Sequence, residues 1–338
     1  MSPLSALLRP VGWAYGRCRL WRRRQLQRVA KALPCPVISV GNLTCGGTGK
    51  TPTVEMIARE LVRREVRPAI LSRGYGHRYA RVGTDDQAHG NDEFHVLRAN
   101  LPTVSHYQDA DRYTKGVEAV RDGAEVLILD DGFQHVKVQR DLNLALIDAL
   151  SPFGNGLILP AGLLREPLDC LADADLFGLT RVDVVDPVRV SNLSGYLRRR
   201  FAGIPQIQLA ARPMGWESLG GETLPPDALF GKRVLAFCGI GHPQAFRRQL
   251  VALDVEVVDM ICFRDHHRYT ENDQEKIVRR ARERRVDEIV LTQKDAVKLP
   301  SDEVTSGWKQ LRIEHEIVDG EEAYQAAIDR TLHGLNRT

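Results

Sequence analysis

The sequence predicts an α/β protein of two units, in each of which a parallel sheet is covered by helices. From Pro36 onward, short apolar runs typical of buried strands alternate with segments in which apolar residues recur at helical spacing. This alternation is typical of parallel sheets with helices on their faces. A chain of 338 residues is long for one domain and comfortable for two. The proline- and glycine-rich passage Ser151–Pro167 interrupts the alternation, so we place the junction of the two units near residue 150.

The predicted elements follow one another in a regular order. In the first unit, the strand candidates are Val37–Val40, Ala69–Ser72, Val126–Leu129 and Leu144–Ile147. In the second unit, they are Val234–Phe237, Val255–Val258 and Glu288–Leu291. A helix is predicted directly after the first strand and a glycine-rich loop, because apolar residues recur there at helical spacing: Val54, Ile57, Ala58, Leu61 and Val62.

Composition and charge exclude several classes of protein. The chain is 43% hydrophobic and 27% charged, as in an ordinary globular protein that buries a good core. Its net charge of +3 is too small to argue for nucleic-acid binding. The 6 cysteines are scattered without CxxC spacing, which indicates reduced thiols rather than a disulfide framework or a zinc site.

The first 35 residues are basic and partly apolar. They contain no Asp or Glu, whereas the basic residues among them are Arg9, Arg17, Arg19, Arg22, Arg23, Arg24, Arg28 and Lys31. The apolar part is too short to span a bilayer, and the charges follow it rather than precede it as in a secretory signal. Leu, Trp and Tyr beside an arginine-rich face favour an amphipathic helix on an anionic membrane surface. A solvated arm and a helix packed on the core are the alternatives.

The stretch TCGGTGKTP, Thr44–Pro52, lies between the first predicted strand and the helix. Gly49-Lys50-Thr51 fits the end of a Walker A pattern, although Thr44 stands where the first glycine is usual. In such a loop, backbone N–H groups converge on phosphates at a helix N-terminus, the lysine reaches the β- and γ-phosphates and the threonine holds Mg²⁺. The alternative is a chance Gly-Lys-Thr in a flexible turn. The predicted nucleotide-binding residues are Thr44, Cys45, Gly46, Gly47, Thr48, Gly49, Lys50 and Thr51.

A second acidic motif completes the pattern of a Mg²⁺-nucleotide site. The apolar run Val126–Leu129 ends in Asp130 and Asp131, as in a Walker B strand. We expect Asp130 in the metal sphere and Asp131 beside it. Two aspartates that open a turn before Gly132 are the structural alternative.

Four further polar residues are candidates for substrate binding. Gln134 and His135 follow the two aspartates closely enough to line the same cleft, or they cap a helix. Arg73 and Arg165 are suited to bind phosphates of substrate or nucleotide, or they form structural ion pairs.

With these motifs in place, the chain resembles the tetraacyldisaccharide 4'-kinase family, the lipid A 4'-kinases of Gram-negative bacteria. The order and spacing of the motifs carry the resemblance, which runs through nearly the whole chain and includes the unusual first Walker A position. The motifs are SVGNLTCGGTGKTP (Ser39–Pro52), LSRGYG (Leu71–Gly76), NDEF (Asn91–Phe94), LDDGFQH (Leu129–His135), FGNGLILPAGLLREP (Phe153–Pro167), FCGIGHPQAF (Phe237–Phe246), FRDHHRYT (Phe263–Thr270) and LTQKDAVK (Leu291–Lys298).

The resemblance implies a fold and an activity. The fold is two α/β/α sandwich domains of P-loop NTPase type, joined by a short two-stranded link. Residues 1–35 would form the membrane-surface helix, 36–150 the P-loop kinase domain and 151–320 the second domain, which completes the lipid and catalytic cleft. A last helix, at about 321–338, would pack back on the first domain.

The implied activity is ATP- and Mg²⁺-dependent phosphorylation of the 4'-hydroxyl of tetraacyldisaccharide 1-phosphate, which forms lipid IVA. The resemblance also implies peripheral attachment to the cytoplasmic face of the inner membrane. Neither a nucleic-acid partner nor an obligate protein partner is expected.

The resemblance also implies catalytic roles. Asp92 would be the general base and Glu93 would assist the metal, while His266, in the second domain, would pair with Asp92 when the cleft closes. Lys50 and Asp131 complete the predicted catalytic set. From the residues alone, an Asp-Glu pair in a polar loop is more often a solvated turn. His266 and His267 are equally typical of the protein surface.

Two other functions stay open at this point. A GTP-driven switch or assembly chaperone is suggested by Thr292-Gln293-Lys294-Asp295, which is weakly similar to the guanine-reading Asn-Lys-x-Asp signature. In this chain the lysine comes third instead of second. A soluble P-loop kinase or ligase acting on a small metabolite would leave the basic N-terminal arm unexplained.

Overall fold

The computed structural model describes residues 8–74 and 91–333, which fold into two compact α/β units. Of these residues, unit 1 contains 8–74, 100–210 and 315–333, and unit 2 contains 91–99 and 211–314. The α/β fold predicted from the alternation of apolar runs and helical patterns is confirmed.

The helices in chain order are α1 (Arg9–Arg28), α2 (Lys50–Arg63), α3 (Asp92–Asn100), α4 (Arg112–Arg121), α5 (Pro187–Arg200), α6 (Pro243–Ala252), α7 (Glu271–Arg284), α8 (Gln293–Ala296) and α9 (Glu321–Leu332). The strands are β1 (Val37–Asn42), β2 (Pro68–Ser72), β3 (Ser105–Gln108), β4 (Val126–Asp130), β5 (Leu142–Asp148), β6 (Leu176–Thr180), β7 (Gln206–Ser218), β8 (Thr223–Leu224), β9 (Arg233–Cys238), β10 (Glu256–Cys262), β11 (Glu288–Thr292) and β12 (Lys309–Asp319). Short 3-10 helices lie at Leu168–Asp173, Val182–Val184 and Pro226–Leu229.

The sheet of unit 1 has the strand order β7-β6-β5-β1-β4-β2-β3, and the neighbouring strands pair in parallel. Its central strands β1, β4 and β5 are buried along their whole length, as expected where helices cover both faces of a sheet. Because β1 is parallel to its neighbours β4 and β5, the loops that follow β1 and β4 leave the sheet at the same edge, the one formed by the carboxyl ends of the strands. This edge carries the phosphate loop and the two aspartates.

The sheet of unit 2 has the order β10-β9-β11-β12, again parallel, and β8 forms an antiparallel pair with the end of β7. Its core is aromatic around Phe237, whose ring meets the rings of Tyr269 and Trp308 edge to face at centroid distances of 5.4 Å in both cases. Edge-to-face contacts of this kind add to the free energy gained by burial.

Two long strands connect the units. β7 begins in unit 1 and ends in unit 2, whereas β12 begins in unit 2 and ends in unit 1. They correspond to the two-stranded link that the family resemblance implies. After β12, helix α9 lies in unit 1, where Arg64 donates to Asp329 over 2.5 Å.

The predicted junction near residue 150 is wrong, since unit 1 continues to residue 210. Strand β6 extends the sheet of unit 1 by pairing with β5. The glycine- and proline-rich passage before it is a folded loop of unit 1 rather than a linker, because Leu164 is buried and forms a bridge with Thr44. Asp92 and Glu93 likewise do not belong to a loop of the first unit: they open helix α3, and residues 91–99 are part of unit 2.

Helix α1 packs on unit 1 through two glycine residues on one of its faces. A Cβ atom on Gly12 would lie 2.9 Å from the carbonyl oxygen of Ile158, and one on Gly16 would lie 2.5 Å from its Cδ1 atom. Only glycine therefore allows the helix to approach this loop so closely.

Buried ion pairs also hold the helix on unit 1. Arg23 is 4% exposed, and it donates to Glu166 over 2.8 Å, to Asp173 over 2.7 Å and to the carbonyl oxygen of Phe133 over 3.0 Å. Arg19 donates to the other oxygen of Glu166. The alternative of a helix packed on the core is thus correct for this face of α1.

The opposite face of α1 is exposed. Trp13 and Trp21 are 68% and 64% exposed, and Arg17 lies over the ring of Trp13 at 5.7 Å. Arg24 and Arg28 continue the same stripe at helical spacing. No helix within residues 8–74 and 91–333 is long and apolar enough to cross a membrane.

We expect Arg23→Met to lower the free energy of unfolding by about 3–5 kcal/mol, because the buried Glu166 carboxylate loses its main partner. The matched control is Arg24→Met, one residue along on the exposed face, which should change stability by less than about 0.5 kcal/mol. Urea unfolding followed by circular dichroism measures both. Equal effects of the two changes would show that the buried pair does not anchor the helix.

Candidate active site

The predicted phosphate loop has the geometry of an anion-binding loop at a helix N-terminus. It leaves β1, turns through Gly46 and Gly49 with φ angles of 108° and 80°, and enters α2 at Lys50. A Cβ atom on Gly46 would meet nothing within 4 Å, so the space beside this glycine is open. In the part of the chain that the structure describes, no N–H group of residues 46–49 has a backbone acceptor. Free N–H groups at a helix N-terminus fit a phosphate chain.

Lys50 projects from the first turn of α2 toward two polar side chains. Its Nζ atom lies 3.3 Å from Oδ1 of Asn42 and 3.5 Å from Oδ1 of Asp131. Asn42, which is fully buried at the end of β1, also donates to the carbonyl oxygen of Thr44 over 2.7 Å. It thereby fixes the entrance of the loop. Asn42 is not among the site residues predicted from the sequence, although a polar residue at the end of a strand and just before the loop is a usable signal.

Asp131 is held by three cations. Arg165 donates to both of its carboxylate oxygens, over 3.1 and 2.9 Å, and Lys50 lies nearby. Burial alone would raise the pKa of Asp131, but the charges of Lys50 and Arg165, with a smaller effect of Arg112, outweigh it and lower the pKa to about 2. Asp131 is therefore a carboxylate at any working pH. Arg165 forms the ion pair that was the alternative to phosphate binding, and this pair lies in the site itself.

Asp130 and Thr51 are candidates for the Mg²⁺ sphere. Asp130 ends β4 and is 6% exposed, and Thr51 follows Lys50 in the first turn of α2 and is 5% exposed. No group of three or more His, Cys, Asp or Glu side chains able to hold a metal occurs among the described residues. Such a cage is not needed, because Mg²⁺ in nucleotide sites is held by one or two protein oxygens, water and phosphates. A hydroxyl and a carboxylate beside an open phosphate loop fit this ion.

The remaining predicted substrate residues differ in position. Gln134 accepts from Arg165 over 3.3 Å and donates to the carbonyl oxygen of Asn42 over 2.8 Å, so it belongs to the same cluster. Burial and the charge of Arg112 lower the pKa of His135 to about 4, so its imidazole is neutral near pH 7. Arg73 follows β2 with an exposed side chain.

A second cluster of titratable groups lies in unit 2, at the start of helix α3. Nδ1 of His266 lies 3.0 Å from Oδ2 of Asp92, and Nζ of Lys298 lies 3.4 Å from the same oxygen. Burial would raise the pKa of Asp92, but the hydrogen bond from His266 and the charge of Lys298 lower it below its ordinary value. The bond to Asp92 in turn raises the pKa of His266. His266 has a φ of 58°, an uncommon backbone angle of the kind that clusters at functional sites.

Glu93 is paired as well. It accepts from Nζ of Lys294 over 2.7 Å. Burial would raise its pKa, but the charge and hydrogen bond of Lys294 lower it. Lys294 and Lys298 were both missed as site residues, because their partners lie about two hundred residues earlier in the chain.

The neighbouring histidine has a different role. Nε2 of His267 bonds Asp273 over 3.0 Å, and its ring stacks on Phe263 at 4.6 Å. These contacts tie the turn to the N-terminus of helix α7, where Thr270 and Asp273 form a capping box. His267 is thus a structural residue, whereas His266 faces Asp92.

The Thr292–Asp295 stretch does not have the features of a guanine-reading motif. Asp295 is fully buried and accepts from Gly239 N–H, Tyr269, Thr292 and Lys298. A guanine-reading aspartate would need free acceptor oxygens, so these bonds disfavour the switch alternative.

Comparisons with known proteins show the family of the chain. A family profile described as tetraacyldisaccharide-1-P 4'-kinase (LpxK) matches residues 4–333. A protein of Syntrophus aciditrophicus (strain SB) named tetraacyldisaccharide 4'-kinase is 39% identical over 302 residues, which cover 82% of this chain and 78% of that protein. One of the same name from Geobacter metallireducens is 39% identical over 308 residues, with coverage of 88% and 86%.

A solved structure is similar over almost its whole length. It is the structure of LpxK from Aquifex aeolicus in complex with ATP, with a TM-score of 0.75 and 30% sequence identity. The match covers 97% of this chain and 99% of that one.

Proposed function

Since this chain belongs to the tetraacyldisaccharide-1-phosphate 4'-kinase family, we propose that it transfers the γ-phosphoryl group of ATP to the 4'-hydroxyl of tetraacyldisaccharide 1-phosphate. The product would be lipid IVA, an intermediate of lipid A synthesis. The observation that carries the proposal is the open phosphate loop, with Lys50 and Asp131 within 3.5 Å of each other in front of it.

Unit 1 would bind and neutralise the nucleotide. The N–H groups of residues 46–49 and the ammonium group of Lys50 would hold the phosphates. Thr51 and Asp130 would hold Mg²⁺, which when bound offsets the charge of the phosphate oxygens. Asp131 keeps the Lys50 side chain directed across the loop, and Arg165 keeps Asp131 in place.

Unit 2 would accept the proton of the sugar hydroxyl. Asp92 is proposed for this role because it is ionised and because its neighbours His266 and Lys298 both contact Oδ2 rather than Oδ1. His266 would orient the carboxylate through Nδ1, and Lys298 contacts the same oxygen. Glu93 is proposed as a further carboxylate near the metal, for which it would have to exchange Lys294 as a partner. Arg73, Gln134, His135 and Arg165 are proposed to bind the phosphate and sugar of the acceptor.

A panel of acceptors and nucleotides tests this function. The protein is incubated with Mg²⁺ and either ATP or GTP, together with the tetraacyl disaccharide 1-phosphate, simple sugars or no acceptor. We expect nucleotide consumption that requires ATP and is stimulated only by the lipid disaccharide. Equal stimulation by small sugars would favour the small-metabolite kinase. Turnover of GTP without any acceptor would favour the switch.

We further propose that α1 attaches the protein to the cytoplasmic face of the inner membrane. The support is the exposed stripe of Trp13, Arg17, Trp21, Arg24 and Arg28, in which aromatic rings alternate with cations. Indole rings bury well at a bilayer interface, and each basic residue near anionic lipid contributes about 1 kcal/mol.

Replacing Trp13 and Trp21 together by serine should reduce binding to phosphatidylglycerol vesicles at least about tenfold, because two large apolar side chains no longer enter the interface. Vesicle sedimentation measures the bound fraction. Phe230→Ser is the matched control, since Phe230 is 67% exposed but lies in unit 2. Salt at about 1 M should also release the wild-type protein. If the control loses as much vesicle binding as the tryptophan variant, α1 is not the membrane element. The same conclusion follows if the intact protein does not bind anionic vesicles at low salt.

A further inference from the structure

Three side chains bond the carbonyl oxygens of the phosphate loop, and two of them lie far away in the sequence. Nη2 of Arg181 donates to the carbonyl oxygen of Gly47 over 2.5 Å, and the hydroxyl of Thr180 donates to that of Thr48 over 3.0 Å. The hydroxyl of Thr53 donates to the carbonyl oxygen of Gly49 over 2.9 Å. Three consecutive peptide groups of the loop are therefore bonded through their carbonyl oxygens.

We propose that Thr180 and Arg181, which follow one another at the end of β6, are positioning residues that set the phosphate affinity of the loop. A peptide group is planar, and its C=O and N–H bonds point in opposite directions. Fixing the carbonyl oxygens of Gly47 and Thr48 consequently directs the N–H groups of Thr48 and Gly49 away from these side chains, toward the open front of the loop. The proposal deepens the assignment of unit 1 as the ATP site and depends on it.

Arg181 is itself anchored. Its Nη1 atom donates to Asp148, which is 2% exposed at the end of the neighbouring strand β5. Arg181 has a φ of 59°, which a side chain bearing a Cβ rarely adopts. Strain of this kind persists where the surroundings over-determine the conformation. Here the surroundings are Asp148 on one side and the phosphate loop on the other.

A buried histidine supports the third carbonyl group. Nδ1 of His315 lies 2.9 Å from the hydroxyl oxygen of Thr53. The Thr53 hydroxyl donates to Gly49, and it accepts from His315 when Nδ1 carries the imidazole proton. Burial and the charge of Arg181 lower the pKa of His315 to about 3, so the ring stays neutral. A Cβ atom on Gly49 would lie 2.7 Å from the Cε1 atom of His315, so the ring also fills the space directly behind the loop.

The test compares two isosteric changes at one position. Thr180→Val keeps the branched shape but removes the donor, and we expect the Kd values for ATP and for inorganic tripolyphosphate to rise together by about tenfold, because the Thr48 carbonyl group is released. Thr180→Ser restores a hydroxyl and should bind both ligands within about threefold of wild type. Titration calorimetry measures the affinities, and the Tm of the unliganded protein checks the fold.

A second site makes the result independent of how Thr180→Val folds. Arg181→Met should weaken the binding of both ligands more strongly, by about a hundredfold, since a charge as well as a donor is lost. Arg181→Lys should recover part of the lost affinity. Thr223→Val, at an exposed threonine of β8, is the control. Wild-type affinity for tripolyphosphate in folded Thr180→Val or Arg181→Met would overturn the proposal. A Thr180→Ser protein that binds tripolyphosphate as weakly as Thr180→Val does would also overturn it. If wild-type protein binds neither ATP nor tripolyphosphate, the ATP-site assignment itself fails, a result distinct from both.

Discussion

Replacing Lys50 by alanine is expected to lower turnover at least about a hundredfold, since a positioned cation that stabilises transition-state charge is worth this much or more. The expectation rests on the position of Lys50 at the first turn of α2, between Asn42 and Asp131. The loss should appear mainly in kcat, because the γ-phosphoryl group gains charge on its way to the acceptor.

The matched control for Lys50→Ala is Lys232→Ala, which removes an exposed ammonium group in unit 2 and should leave turnover near wild type. Initial rates at saturating ATP and lipid measure the effect, with circular dichroism as the check on folding. A folded Lys50→Ala protein with near-normal activity would remove the phosphate loop from the mechanism.

The second large effect concerns Asp92 and His266. If Asp92 takes the hydroxyl proton and His266 orients it over the 3.0 Å bond, alanine at either position should lower kcat by about 10²–10⁴-fold. ATP affinity should change little, since neither residue belongs to the phosphate loop. Because the two groups act as one unit, the double variant should lose about as much as the worse single variant.

His267→Ala is the control for this pair, because His267 is adjacent in sequence but bonds Asp273 instead. Its kcat should stay within about threefold of wild type once folding is confirmed, since ordinary changes outside the mechanism cost little. Losses that multiply in the double variant would show that Asp92 and His266 act separately. A normal Asp92→Ala enzyme would exclude it as the base.

Local patterns were sufficient for the parts of the fold that consecutive residues specify. Val126–Asp130 is an apolar run that ends in a polar residue, and Val37–Asn42 is a strand-like run, interrupted by Ser39, that also ends in one. Both strands and the loops after them could therefore be predicted from sequence alone. The phosphate loop is equally local, because glycine, lysine and threonine in one short stretch determine its chemistry.

The contacts between distant segments could not be predicted in this way. His266 and Asp92 are 174 positions apart, and only the family resemblance pointed to the pair. The strand β3 is short and polar, and no apolar run marked it. Thr180 and Arg181 reach the loop only because β6 is placed in the same sheet as β1, with β5 between them.

The basic N-terminal segment shows a subtler difficulty. Three consecutive arginines, Arg22–Arg24, have the same charge, yet only Arg23 is buried. The spacing of Gly12, Gly16 and Arg23 marks one face of a helix, and this was the signal that would have separated the packed arginine from the exposed ones.

The position of the new phosphate on the lipid distinguishes phosphorylation of the 4'-hydroxyl from every other reaction of ATP. The protein is incubated with Mg²⁺, tetraacyldisaccharide 1-phosphate and ATP that carries radioactive phosphorus at the γ position, and the lipid product is isolated and mapped by mass spectrometry and phosphorus NMR. We expect label in a bisphosphorylated lipid, with the new monoester on the 4'-oxygen, and no such product from Lys50→Ala. Label recovered only as inorganic phosphate, or on any other oxygen of the disaccharide, would contradict this expectation.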